Sequence, residues 1–160
     1  DTPYTPPEGL RVIAERHPEN RIIAVHMGGG GAGYVEGEEH YLKTRKLGLE
    51  RPNLFFPLSA RRDTHTESDI IAYRLAGAPF AHNLACASDA PYGRQTWNFG
   101  GYRTMLEGLI RSENHPDPRV RQNPELFDEE MATDLLGRNM ANFTLESYRQ
   151  FLKIHREEVA

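Results

Sequence analysis

Two polar residues stand where apolar segments stop. His26 follows Ile22-Ile23-Ala24-Val25, and Asp89 follows another apolar stretch that ends near Ala87. An aspartate offers a hard anionic oxygen to a divalent cation, or acts as a general base. An imidazole near neutral pH relays a proton or ligates a metal. The two make one site only if both segments are strands of a single parallel sheet, because ligands meet the carboxyl ends of such strands. Arg61 and Arg62, just past a third apolar segment, and Arg94, just past Asp89, carry guanidinium forks suited to gripping a substrate carboxylate. Each residue also has a plain structural reading. His26 can be a satisfied strand-end histidine, Ser88-Asp89-Ala90-Pro91 is good turn chemistry, and arginines commonly sit at the surface. Cys86 has no evident base and reads as a small core residue. His17, His40, His82, His115 and His155 read as solvated or packed, and His65 as an ordinary loop histidine.

The elements that must position these residues are visible in the pattern. Thr5-Pro6-Pro7-Glu8 marks a helix start, with Leu10, Ile13 and Ala14 on one face and His17-Pro18 as the stop. Ile22 to Val25 is apolar without alternation, which predicts a parallel strand covered on both faces and running through His26 and Met27. Val35 to Leu49 predicts a helix, and Asn53 to Ser59 a second strand weakened by Pro57. A helix capped by Thr66 or Ser68 should run past Ile70, Ile71 and Leu75 until Gly77 and Pro79 close it. A third strand, about Ala81 to Ala87, leads into Ser88-Asp89. Helices are expected over Tyr102 to Ile110, Asp128 to Met140 and Leu145 to Glu158, with a Pro- and Asn-rich loop over Ser112 to Pro124. Alternation of this kind means right-handed βα units on a parallel sheet. Three strands are too few to close a barrel, which needs about 250 residues; the count fits the last three strands of a barrel plus C-terminal helices, or a small open sheet.

Four segments in order carry a family resemblance. Val25-His26-Met27-Gly28-Gly29 resembles the HMGG strand end of the amidohydrolase-2 group, the aminocarboxymuconate-semialdehyde decarboxylase-like metal-dependent hydrolases. Pro52-Asn53-Leu54-Phe55-Phe56-Pro57-Leu58-Ser59 is similar to that group's PN…S strand, and Ser88-Asp89-Ala90-Pro91-Tyr92-Gly93 to its SDxPxG segment. Leu135-Leu136-Gly137-Arg138-Asn139-Met140-Ala141 resembles its closing LGxNA helix. The resemblance implies the C-terminal half of a (β/α)8 barrel, residues 1–160 forming one unit whose N-terminal half is absent. It further implies a divalent metal, zinc, with Asp89 as a ligand and His26 as the catalytic histidine beside the activated water. The reaction would be hydrolysis or non-oxidative decarboxylation of a small organic acid, lactone or amide. Arg61 and Arg94 would serve as substrate-binding residues. The departures are specific. The group's His-x-His pair and its fifth-strand histidine are missing, and Cys86-Ala87 replaces Phe-Gly. One protein ligand is left where a catalytic zinc wants about three. The isolated chain is therefore expected neither to hold metal tightly nor to turn over substrate. The missing half, a second chain or homo-oligomerisation should cover an open strand edge and apolar face.

Two readings from other classes compete. Gly28, Gly30 and Gly33 match G-x-G-x-x-G after a strand, with Glu50 loosely where a ribose-binding acid would stand, as in a nucleotide-binding domain. A non-catalytic interaction module is the third. Bulk properties narrow the field. Charged residues make up 26% and hydrophobic residues 38% of the chain, and the formal net charge is only −4, which argues against a nucleic-acid surface. No apolar run approaches the roughly 20 residues of a membrane span. The single cysteine excludes an internal disulfide or a Cys-based metal cage and fits a reducing, cytoplasmic setting. The opening Asp1-Thr2-Pro3-Tyr4 lacks an initiator methionine and a signal-like segment, which predicts a longer polypeptide.

Overall fold

The structure is a computed structural model that describes residues 7–27, 36–59, 63–88 and 99–157. Helices and strands alternate: α1 (Pro7–Arg16), β1 (Ile22–Ile23), α2 (Glu36–Gly48), β2 (Leu54–Leu58), α3 (Asp63–Ala76) and β3 (Leu84–Cys86). Helices α4 (Phe99–Ile110), α5 (Pro118–Gln122), α6 (Glu129–Thr133) and α7 (Asn139–Glu157) follow. The strands form a parallel sheet in the order β1-β2-β3, with Ile22 opposite Leu54 and Phe56 opposite Leu84. Parallel neighbours need crossovers, and α2 and α3 supply them.

The pleat sends alternate side chains of β2 to opposite faces. Leu54, Phe56 and Leu58 join Leu84, Leu10 of α1, Leu47 of α2, Ile70 and Tyr73 of α3, and Leu106 of α4 in the main core. Phe55 and Ala85 point the other way, where α7 covers them with Phe143 and Met140. Phe55 and Phe143 stack at a tilt, 4.7 Å between centroids. β2 is thus buried throughout, as its apolar run predicts. β1 is not. Ile23 is 45% and Val25 48% exposed, so the expectation of cover on both faces fails there. The reason is extent: α7 reaches Phe55 and Ala85, whereas of the β1 segment Ala24 and Met27 turn into the core and Ile22 packs against it on the other face.

Three asparagines lock the amino ends of the strands. Asn53 Nδ2 donates toward the Ala14, His17 and Asn20 carbonyls at 3.1–3.2 Å, tying the end of α1 to the start of β2. Asn83 Nδ2 donates to the Pro52 carbonyl at 2.8 Å, and Asn139 Nδ2 to the Leu84 carbonyl at 2.9 Å. A carboxamide can satisfy the orphan carbonyls that helix ends and strand starts leave behind.

Several boundaries differ from the sequence reading. α3 starts at Asp63, ahead of both expected caps: Thr66 is buried, and Ser68 Oγ accepts from Arg45 at 2.8 Å instead. β3 is shorter than expected because Phe80–His82 forms a 3-10 turn before it. The two C-terminal helices are one run, since α6 passes through a π-turn at Asp134–Arg138 directly into α7. No glycine or proline interrupts 141–147, and Thr144 Oγ simply bonds back to the Met140 carbonyl at 2.9 Å. The expected loop at 112–124 contains α5, capped by Asp117, whose carboxylate accepts from the Arg119 N–H at 2.8 Å. Among the described residues no helix is long and apolar enough to cross a membrane.

Candidate functional site

Pro57 explains how β1 ends. The Ala24 N–H donates to the Phe55 carbonyl at 2.9 Å. The next rung of a parallel ladder would run from the N–H of residue 57 to the Ala24 carbonyl, and proline has no N–H. On the β3 side nothing is lost, because Phe56 supplies the donor there, to the Asn83 carbonyl at 2.8 Å. β2 therefore stays intact while β1 is released. The chain at once enters a 3-10 turn, Val25–Met27, in which His26 (φ 57°, ψ 35°) and Met27 (φ 53°) are left-handed. Side chains other than glycine pay about 1–2 kcal/mol per residue for that conformation, and histidine is among those that adopt it most readily. Full burial of Met27 helps hold the turn.

The result is an imidazole turned toward the neighbouring strand. His26 Nδ1 lies 2.9 Å from Ser59 Oγ and 3.1 Å from the Ser59 carbonyl oxygen, one residue past β2. Ser59 is buried and His26 half-buried. β3 ends at the same carboxyl edge, where Tyr102 of α4 donates to the Ala87 carbonyl at 3.1 Å and Ser88 is half-buried. His26 in the turn after β1, Ser59 just past β2 and Ser88 just past β3 thus follow successive strand ends, the expected arrangement of a parallel α/β site. Asp89, Arg61, Arg94 and the Gly28–Gly33 run lie outside the described residues.

The other candidates resolve into structural roles. Burial pushes the Cys86 thiol up to about 12, so at neutral pH it is a neutral thiol and no nucleophile. His115 is buried; its Nδ1 accepts from the Asp117 N–H and its Nε2 faces Glu67 at 3.1 Å. Because that N–H can only donate, the proton of a neutral His115 sits on Nε2. His65 belongs to α3, not to a loop, and stacks on Tyr41 at 4.6 Å. Glu50, the acid of the nucleotide reading, sits ahead of β2 at the amino edge and pairs with Arg11 at 3.1 Å. A ribose-binding acid belongs at the carboxyl end of a strand, beside the glycine turn.

Two cavities lined by described residues, about 390 and 370 Å³, open at the amino edge, away from His26. One contains the buried Asp134 carboxylate, 3.1 Å from Arg138, 3.8 Å from His82 and 3.9 Å from Arg74. With Glu130 beside Arg138 at 2.8 Å, acids and bases balance there, which suits a clamp on the π-turn better than an ion site. Sequence reading missed this cluster and assigned Ser59 no role. The signals for Ser59 were a hydroxyl placed immediately past an apolar run and its place as the closing serine of the PN…S segment.

Among the described residues no group of three or more His, Cys, Asp or Glu side chains could hold a metal ion. The His26 imidazole suits a divalent cation in kind, and a catalytic zinc wants about three such ligands. Compared with protein-family models, curated proteins and solved structures, the chain matches none.

Proposed function

We propose that residues 1–160 are the C-terminal, three-strand portion of a barrel enzyme of the amidohydrolase-2 type. On this reading it is a metal-dependent hydrolase or non-oxidative decarboxylase acting on a small organic acid, lactone or amide. One observation supports it above all: His26 is held at the carboxyl end of a parallel strand, on the edge where β3 delivers the chain to Asp89. Two strand spacings, roughly 10 Å, separate β1 from β3, a gap that an imidazole and a carboxylate can span around one small substrate.

Asp89 would hold the cation, zinc by the resemblance, together with ligands contributed from outside these residues. When bound, the ion supplies Lewis acidity that polarises a water or a substrate oxygen. His26 accepts or returns the proton of the attacking or leaving group. Arg61 and Arg94 orient a substrate carboxylate. The carboxyl edge of the sheet excludes water from one side through the packed layer beneath it.

The test uses the complete polypeptide with its bound metal. Asp89→Ala should lose most of the metal content. His26→Ala should keep it and lower kcat about 10²- to 10⁴-fold, the range of general acid–base assistance. Full metal content and unchanged turnover in both variants would refute the proposal.

A further inference from the structure

The larger cavity at the amino edge holds an unmet demand for hydrogen bonds. The Asp134 side chain is only 6% exposed, yet among the described residues neither of its carboxylate oxygens receives a hydrogen bond. Arg138 Nη1 lies 3.1 Å from Oδ1 but is aimed at Glu130, to which it donates at 2.8 Å. Oδ2 has Arg74 Nη1 at 3.9 Å and His82 Nδ1 at 3.8 Å, both beyond hydrogen-bonding reach. A buried carboxylate in that state lacks the partners it had in water, and a donor entering from the cavity supplies them. Arg74 has the complementary need. Its Nε donates to the Leu126 carbonyl at 2.9 Å, which holds the guanidinium in place, and among the described residues its Nη groups make no hydrogen bond. A group that only accepts and a group that only donates thus stand side by side on one wall of a cavity of about 390 Å³.

Charge limits what these two groups can bind together. Arg74 and Arg138 repel a cation, and Asp134 and Glu130 repel an anion. A neutral amide edge meets both needs, since its oxygen accepts and its N–H donates. The oxygen and nitrogen of such an edge lie about 2.2 Å apart, so bonds of ordinary length spread only slightly to reach groups 3.9 Å apart. Ala81 and Leu126 line the same cavity and give an apolar wall for the rest of a small ring. The volume falls within the range of small-molecule sites, roughly 300–1,000 Å³. Asp134 also opens the π-turn, a distortion frequent at functional sites. We propose that this cavity is a second binding site, taking a small neutral carboxamide or lactam whose oxygen accepts from Arg74 and whose N–H donates to Asp134. It lies at the opposite edge of the sheet from His26 and stands independently of the role given to that residue.

The probe is nicotinamide, titrated into isotope-labelled protein and followed by NMR. The amide signals of Gly77 and Ala81 and the Nε–H signal of Arg74 should shift saturably, with a Kd of about 1 mM. Nicotinate carries the same ring with a carboxylate, which only accepts and faces Asp134, and should bind at least about tenfold more weakly. Asp134→Asn keeps the shape, removes the charge and adds a donor, so that preference should vanish or reverse. Asn142→Trp, at an exposed position of α7 on the cavity rim, leaves the Asp134 clamp untouched. It should weaken nicotinamide at least about tenfold at unchanged thermal stability. No saturable shift up to about 20 mM nicotinamide means that water alone serves Asp134, and overturns the proposal. Nicotinate binding as tightly as nicotinamide, or an unaltered affinity in Asn142→Trp, overturns it as well. Should Asp134→Asn fail to fold, the nicotinate comparison and Asn142→Trp still decide.

Discussion

Gly48→Ala puts the packing beneath the site to a quantitative test. In an unhindered helix the substitution stabilises by about 0.5–1 kcal/mol, since alanine loses less conformational freedom than glycine on folding. Gly48, the last residue of α2, is hindered. A Cβ built there would lie 2.0 Å from Tyr73 Oη, 2.5 Å from Phe56 Cε2 and 2.9 Å from Phe56 Cζ. Both rings are fully buried and meet edge to face at 6.2 Å and 78°. Neither can swing into solvent. Overpacking of this kind costs about 1–3 kcal/mol, and disturbing the aromatic pair adds about 0.5–1.5 kcal/mol. Set against the helix gain, the net loss should be about 2–3 kcal/mol. At about 2–4 °C per kcal/mol for a chain of this size, thermal unfolding should fall by roughly 5–10 °C. Gly108→Ala is the control. It lies inside α4, and a Cβ there would meet nothing within 4 Å, so it should gain about 0.5–1 kcal/mol. Urea unfolding of the three proteins measures both changes. Equal or greater stability in Gly48→Ala would show that β2 and α3 are not pressed against α2 as described.

Cys86 and Asp117 supply further tests. With its thiol raised to about 12 by burial, Cys86 should react with iodoacetamide at about pH 8 on the order of a thousandfold more slowly in the folded protein than in urea. A rate near that of an unfolded thiol would contradict its place on β3. Asp117 is held below the ordinary carboxylate range, first by the hydrogen bond from the Arg119 guanidinium, with the Arg119 N–H and charge adding to it against a smaller opposing effect of burial. A depressed folded value means stability that is present above the unfolded carboxylate value, about 3.9, and lost as pH falls through the lower folded one. Asp117→Asn should therefore be less stable than wild type at about pH 7, with the difference closing as the pH falls below the unfolded carboxylate value and through the lower folded one. A difference that does not change with pH would place the effect in capping geometry and not in charge.

How much of this was legible in the sequence depends on the range of the cause. Helix and strand order came from local signals: the apolar faces of α1 and α3, the continuous apolar run of β2, the stop at His17-Pro18, and Gly77, whose φ of 72° closes α3. Three parallel strands with helical crossovers follow from that order, and so does the position of His26 at a strand end. These are effects between residues one to four apart, and periodicity records them. Tertiary structure decided the rest. The bond from His26 to Ser59 joins residues 33 apart, and that from His82 to Asn139 residues 57 apart. Each depends on strand register and on where the ladder breaks, which for β1 is set by a proline on a different strand. Likewise, the apolar run Ile22–Val25 reads the same whether one face or two are covered. Only the placement of α7 leaves Ile23 and Val25 at the surface, because burial is a property of what lies opposite a side chain and not of the side chain itself.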